Sequence, residues 1–280
     1  MILKMMIFGT AGKPLQCKDS SSLEAIECVK KLGLDAMELE FVHGCKMKPE
    51  NALSVGKKAE ELNIKLSAHA SYYLNLISPK KEIVEKSFKE LITTARVLTA
   101  AKGERLVFHA GFYLELSKEN AYKEMKKILT KLIDNFKDEG LTAILSPELT
   151  GKPSQFGSLE ELYSLSEEIG YENLKPTIDF AHYHARENGK IKEKEDYDKI
   201  FELVEKKVGR KGLQTLHCHM SSINFSEKGE KNHLTMNHDT PPFKPLVKSL
   251  KEFNCSGTII CESPNIEKDA LYMKKTYENT

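Results

Sequence analysis

The feature that most constrains this chain is an alternation of two hydrophobic periods, repeated eight times. Short apolar runs of strand length occur at 5–12, 36–41, 65–70, 105–111, 142–149, 175–182, 213–220 and 257–263. Between them lie longer Lys/Glu-rich stretches whose apolar residues recur at helical spacing: 22–32, 49–62, 81–101, 118–139, 159–169, 195–208, 243–253 and 266–277. Strands this short and apolar are the kind covered on both faces of a parallel sheet. The punctuation agrees. Gly33 and Gly140 stand where helix C-terminal caps belong. Pro49 suits a first helical turn, and Ser158 with Glu161 forms a capping-box pattern. Eight βα units in 280 residues average about 35 residues each, the size expected of a (β/α)8 TIM barrel of the α/β class. No Pro/Gly/Ser-rich linker divides the chain. Residues 1–280 are therefore expected to form a single domain, with its active site at the C-terminal ends of the strands. The alternative, an open doubly wound sheet, wants a glycine-rich phosphate turn after the first strand. GTAGKP at 9–14 matches that poorly.

Composition narrows the class of function. The chain carries 42 Lys+Arg against 41 Asp+Glu, a net charge of +1. That argues against a protein that grips nucleic acid by bulk positive charge, while leaving room for a local basic groove. Charged residues at 30% and hydrophobic residues at 40% describe a folded globular chain. No apolar stretch approaches about 18 residues, so no membrane span is expected. The apolar start is cut short by Gly9, Gly12 and Pro14 and reads as a first strand, not a signal segment. The six cysteines form no CxxC pair. Their spacing predicts neither a disulfide framework nor a Cys-based zinc site, and a reducing cytoplasm is the simplest compartment.

In a barrel of this kind the working residues end the strands, and here ionisable residues end the last six. His69 closes KLSAHA, His109 closes RLVFHAG, and Glu148 closes ILSPEL. Asp179 closes the sixth run, with His182 expected on the turn three residues later. His217 and His219 share the seventh, and Glu262 closes the eighth. Burying so many ionisable groups uncompensated would cost several kcal/mol each. Divalent ions offset that cost, because carboxylate and neutral imidazole are ligands for Zn2+, Mn2+ or Fe2+. His219 lies nearer the mouth than His217, so His219 is the expected ligand and His217 a supporting or core residue. The segment EKGEKNHL adds Glu230, Asn232 and His233 in what reads as a long polar loop over the site. His238 and Asp239 read as a turn before Pro241, and His43 and His184 as surface or supporting residues.

Several segments together carry a family resemblance: HASYYLNL, VFHAG, SPELTGKPSQFGSLEEL, TIDFAHYHA, HCHMSS with GEKNHL, and CES. In these the chain resembles the endonuclease IV family of apurinic/apyrimidinic endonucleases, within the xylose-isomerase-like barrels. The resemblance implies three metal ions, zinc in the main with Mn2+ or Fe2+ possible in part. It implies that His69 and His109 bind the first, that Glu148 bridges to the second, and that Asp179, His219 and Glu262 complete the second. His182 and His233 would bind the third. The family's D-x-H pair fails here because Lys231 stands two before His233, leaving Glu230 as the available carboxylate. The implied chemistry is hydrolysis of the phosphodiester 5′ to an abasic site in double-stranded DNA. Clustered ions would lower the pKa of a bound water from 15.7 toward about 7 and stabilise the departing oxygen. Glu148 is the expected catalytic residue. Tyr72 matches a family residue that meets DNA at the lesion, while Asn75, Arg186 and Lys13 are candidate phosphate contacts. A monomer is the simplest expectation. The rival reading is a single-metal sugar isomerase or epimerase of the same barrel group, resembled at Glu148, Asp179, His219 and Glu262 alone. A non-catalytic nucleic-acid binder is a further rival, under which the ligand set should have decayed.

Overall fold

A computed structural model describes residues 5–280; residues 1–4, part of the apolar start read as strand, lie outside the described residues. Eight parallel strands form one sheet: β1 Met6–Ala11, β2 Ala36–Glu40, β3 Lys65–His69, β4 Arg105–Phe108, β5 Ile144–Pro147, β6 Ile178–Asp179, β7 Leu216–Met220 and β8 Gly257–Cys261. Their order is β5-β4-β3-β2-β1-β8-β7-β6. The two ends of that order meet through parallel bridges from Leu145 to Leu174 and from Glu148 to Thr177. The amides of Lys175 and Thr177 donate to the carbonyls of Leu145 and Pro147 across the join, so the sheet closes on itself. This is the expected TIM barrel.

The outer helices are α1 Ser22–Lys31, α2 Pro49–Glu61, α3 Lys81–Ala100, α4 Lys118–Asp138, α5 Leu159–Ile169, α6 Lys194–Val208, α7 Phe243–Glu252 and α8 Glu267–Asn279. Local chemistry starts and stops them. Ser21–Glu24 and Ser158–Glu161 form reciprocal capping boxes at α1 and α5, satisfying donors that have no partner within the helix. Gly33 and Gly140 follow α1 and α4 with φ of 77° and 65°, the left-handed conformation a helix stop favours.

Alternation along the strands sorts their side chains. Met37, Leu39, Leu66, Ala68, Leu106, Phe108, Ile259 and Cys261 join the apolar core, and Phe8 stacks on Tyr277 of α8. The other face of these strands points inward. There the chain carries Glu38, Ser67, Ser146, Thr177 and His217, all buried. Above them, at the C-terminal ends, stand His69, Glu148, Asp179 and His219. Apolar residues also occur on the inner face, Val107 and Ile260 among them, both fully buried. The interior, where barrels usually pack branched apolar residues, is here largely polar.

Four local expectations change. The sixth run gives only two strand residues. A short helix, Phe180–Arg186, follows at once and places His182 in its first turn, because the Asp179 carboxylate caps it by accepting from the His182 amide at 2.6 Å. The expected polar loop after β7 is a β-hairpin, Ser222–Ser226 paired with Gly229–Leu234. A small antiparallel pair, Gly111–Phe112 with Gln155–Phe156, ties the loops after β4 and β5. Cys17 and Cys28 are disulfide-bonded, against the expectation of no disulfide. A turn of 3-10 helix, Leu15–Cys17, carries Cys17 onto the face of α1, a proximity that sequence spacing does not show. The bond also removes the cysteine argument for a reducing compartment. Among the described residues no helix is long and apolar enough to cross a membrane.

Candidate metal centre

Three overlapping groups of ligand-type atoms gather at the C-terminal mouth: His69, His109 and Glu148; Glu148, Asp179, His219 and Glu262; and Asp179, His182, His233 and Glu262. Within each group one atom per residue lies within 4.8 Å of the others. Strand geometry produces the convergence. Asp179 pairs in register with His219, and His219 with Ile260, two residues before Glu262. Inward-facing side chains at one level of a closed barrel must meet.

Glu148 is the hub. Its Oε2 lies 2.9 Å from Nε2 of both His69 and His109. Its Oε1 lies 3.1 Å from His219 Nδ1 and 3.2 Å from His182 Nδ1. Burial alone would disfavour its charge, but His109, His219 and His182 outweigh that and hold the carboxyl well below its usual range. His69 shows the reverse contest: burial disfavours the imidazolium, Glu148 favours it more, and the pKa rises to about 10. Burial pushes Asp179 up to about 6. Glu262 is opposed by burial too, yet His219 brings it down to about 2.

The tautomers can be read from the backbone. His69 Nδ1–H donates to the Ala70 carbonyl at 2.8 Å, so Nε2, which faces Glu148 Oε2, is the nitrogen an ion would occupy in place of its proton. His182 Nδ1 contacts the Leu149 carbonyl at 3.1 Å, and His233 Nδ1 the Glu262 carbonyl at 3.2 Å. Their Nε2 atoms then face each other at 3.2 Å. With each Nδ1 turned to a carbonyl, the two Nε2 atoms can share one cation between them, a proton in the ion-free protein or a metal ion in its place. Asp179 Oδ2 is also buried without a hydrogen-bond partner. These donor sets fit divalent zinc, manganese or iron.

Glu230 is not within the third group but approaches its His182 through a bulge. Its Oε2 lies 3.5 Å from His182 Nε2. In the hairpin, Asn232 pairs with Asn224 but Glu230 pairs with Phe225. Lys231 is therefore the extra residue of the bulge. An extra residue flips the alternation, so residues three apart share a face that two-apart residues would normally share. Close docking makes room: a Cβ on Gly229, whose φ is 93°, would stand 2.3 Å from the Gly151 carbonyl oxygen.

Other expected contacts resolve differently. Arg186 is buried and donates to the carbonyls of Thr150, Lys152 and Gln155 and to the Thr150 hydroxyl. It is a clamp on the loop after β5, not a free phosphate contact, because that loop offers a ring of carbonyls that only a guanidinium can serve together. Arg186→Ala is expected to cost about 3 kcal/mol, since charged hydrogen bonds contribute about 1.5–3 kcal/mol each and the carbonyls are left unpaired. Thermal denaturation would show it; unchanged stability with a raised KM would restore the phosphate role. Asn75 is likewise buried, its Oδ1 accepting from the amides of Ile77 and Phe112. Lys13 donates to the Ser20 carbonyl. Tyr72 is exposed, as a DNA contact requires. Its ring lies 4.1 Å from that of exposed Tyr73, and its hydroxyl donates to Tyr73's at 2.7 Å. His43 is exposed beside them, whereas His184 is buried and accepts from the Ile191 amide. Asp239 sits in the expected turn, accepting from the Phe243 amide.

Sequence reasoning missed two acids, Glu38 and Glu40 of β2. Both hide in AMELE, which reads as an ordinary strand; their spacing of two, matching Ser67 and His69 in register across the sheet, was the available signal. Burial pushes Glu40 up to about 8. Glu40 lines a cavity of about 350 Å3 with His233 and Glu262.

The comparisons with known proteins agree with this geometry. Residues 26–277 match the model of the xylose isomerase-like TIM barrel. The chain belongs to that family. Its resemblance to endonuclease IV also holds. A protein of Thermosipho melanesiensis named a probable endonuclease 4 is 30% identical over 72% of this chain and 70% of its own. An uncharacterized protein of Methanocaldococcus jannaschii is 41% identical over 98% of this chain and 97% of its own. Among solved structures, endonuclease IV from Thermus thermophilus superposes with a TM-score of 0.75 at 17% identity, covering 98% of both chains. A D-tagatose 3-epimerase-like protein gives 0.71 at 21% identity, covering 98% of this chain and 96% of the other. At such identities both structures speak for the fold.

Proposed function

We propose that this protein is a metal-dependent DNA repair endonuclease that hydrolyses the phosphodiester 5′ to an abasic site in duplex DNA. The observation that carries the reading is the set of three overlapping ligand groups meeting at Glu148, Asp179 and Glu262. A single-metal sugar epimerase needs only Glu148, Asp179, His219 and Glu262. It has no use for the opposed imidazoles of His182 and His233, or for His69 and His109 beside Glu148.

Under this reading His69, His109 and Glu148 hold one ion; Glu148, Asp179, His219 and Glu262 a second; His182, His233 and Glu230, with Asp179 near, a third. When bound, divalent ions supply Lewis acidity to the phosphate, lower the pKa of water and stabilise the leaving oxygen. The chain's own residues do the rest. Glu148 holds two ligand groups at one spacing. The backbone carbonyls of Ala70, Leu149 and Glu262 fix which imidazole nitrogen is free. Glu40 places a carboxyl in the cavity beside Glu262. Tyr72 and Tyr73 offer adjacent ring faces at the rim, and base–aromatic stacking contributes roughly 1–3 kcal/mol per base.

The test is a duplex carrying one abasic analogue, incubated with zinc- or manganese-loaded protein, with both product ends identified. Cleavage on the 5′ side, leaving a 3′-hydroxyl, is expected, together with three ions per chain. A fully loaded, active protein with one ion per chain would establish the epimerase reading instead. Loaded protein that binds the duplex without cutting it would overturn catalysis.

A further inference from the structure

Beneath the second ligand group lies a buried network that the proposed reaction does not use. Glu38 is fully buried on the inner face of β2. Its Oε2 accepts from the Ser67 hydroxyl at 2.6 Å and from His217 Nε2 at 2.9 Å. Its Oε1 lies 2.9 Å from Nε2 of His219. The two atoms are close without being aligned for a hydrogen bond, and among the described residues both are buried with no hydrogen-bond partner. The opposite nitrogen of the same ring, Nδ1, is hydrogen-bonded to Glu148 Oε1 at 3.1 Å and lies 3.1 Å from Glu262 Oε1. His219 therefore spans two environments, a carboxylate below and the proposed metal group above.

A carboxylate offers only lone pairs, so it pairs with a ring nitrogen that carries a proton. In the ion-free protein both ring nitrogens face carboxylates and both would carry a proton; an ion held by Glu148, Asp179 and Glu262 would take the place of the Nδ1 proton and leave the other on Nε2, beside Glu38. We propose that Glu38 is a positioning residue for the second metal site: it fixes His219 as the Nε2–H tautomer with Nδ1 aimed at the ion, and Ser67 and His217 fix Glu38. The inference rests on reading His219 as a ligand. Carboxylate–histidine–metal relays of this kind set ring orientation and ligand basicity. The rival, a fourth ion held by Glu38, His217 and His219, would strip Nε2 of its proton while Nδ1 serves another ion. It would also compete with the Ser67 hydroxyl for Oε2. The expense of the network fits a structural purpose: a buried carboxylate is costly unless its donors are in place, and the barrel supplies them from β3 and β7.

The test uses the full chain loaded with zinc. Chelator competition on wild type, Glu38→Gln and His219→Ala counts the ions and their affinities, and long-range nitrogen–proton spectra report the His219 tautomer. The expected result is that one of three ions is held about 10–100-fold more weakly in Glu38→Gln, the same ion that His219→Ala loses. Cleavage by Glu38→Gln should recover at saturating zinc, which loss of a catalytic group would not allow. Wild-type His219 should show a protonated Nε2. Glutamine matches glutamate in shape, so this variant tests the charge without opening a cavity. Unchanged affinities in Glu38→Gln beside a deficient His219→Ala would overturn this inference alone. A His219→Ala protein that keeps every ion would overturn the ligand reading and this inference with it. Four ions in wild type, the fourth lost in Glu38→Gln, would replace the positioning role with a metal site.

Discussion

Glu148→Gln is expected to lower cleavage of an abasic-site duplex by about 10^3-fold or more while the barrel stays folded. Glu148 is shared by two ligand groups, its Oε2 facing His69 and His109 and its Oε1 facing His219 and His182. Glutamine keeps the shape but replaces one oxygen with an NH2 donor. That donor must face either one pair of imidazoles or the other, so at least one ligand group loses its charge and an acceptor. Metal assistance supplies several kcal/mol of transition-state stabilisation; a loss of about 4 kcal/mol is about three factors of ten in rate. Folding should survive because the imidazoles can shed their protons once the carboxylate is gone. Far-ultraviolet circular dichroism and a thermal melt would check the fold, a metal count the ligand group, and single-turnover cleavage the rate. Wild-type turnover would remove Glu148 from the proposed chemistry.

Stripping the metals is expected to have the largest effect on stability, and that effect should depend on pH. A ligand at a hundredfold its dissociation constant stabilises the folded state by about 2.7 kcal/mol. Three such ions together contribute about 8 kcal/mol, a fall in Tm of roughly 15 °C on chelation. Removal also changes the proton inventory. In the metal-free protein burial disfavours the His69 imidazolium but Glu148 favours it more, raising its pKa to about 10, above the 6.5 of a free histidine. A raised pKa stabilises the fold fully below the unfolded value and loses that contribution as pH climbs through the folded one. The stripped protein should therefore weaken progressively between about pH 7 and pH 10. The loaded protein should not, because bound ions take the place of that proton. Zinc added to stripped protein at pH 8 should release protons and bind more tightly as pH rises. Melts with and without chelator at pH 6.5 and 9.5, with proton release in weak buffer, would measure both. Equal melts at pH 9.5 would mean that the mouth holds no ion that matters to the fold.

The legible and the hidden parts of the site divide along a physical line. The strands and helices were readable because they rest on local period and local caps: the Ser158–Glu161 box, Pro49 and Gly33 each act within one turn of the chain. The ligands at strand ends were readable for a similar reason, since a barrel turns a position along a strand into a height above its floor. Glu38 escaped notice because an acid in mid-strand gains meaning only from its neighbours. Those are Ser67 one strand away and His217 on β7, 179 residues along the chain.

Arg186 and Glu230 mark the same boundary from opposite sides. Arg186 follows a ligand motif and looked free, yet the carbonyls of 150–155 capture it. Glu230 broke the expected spacing, yet one bulged residue restores its direction toward His182. From sequence alone came the barrel, the order of its units and the inventory of imidazoles and carboxylates at its mouth, all set by contacts within a few residues. Which nitrogen of each histidine is free, which acids lie beneath them, and whether an arginine meets solvent or backbone were decided only by closing the sheet. Closure brings strands distant in sequence into register, and no local pattern encodes who will stand opposite whom.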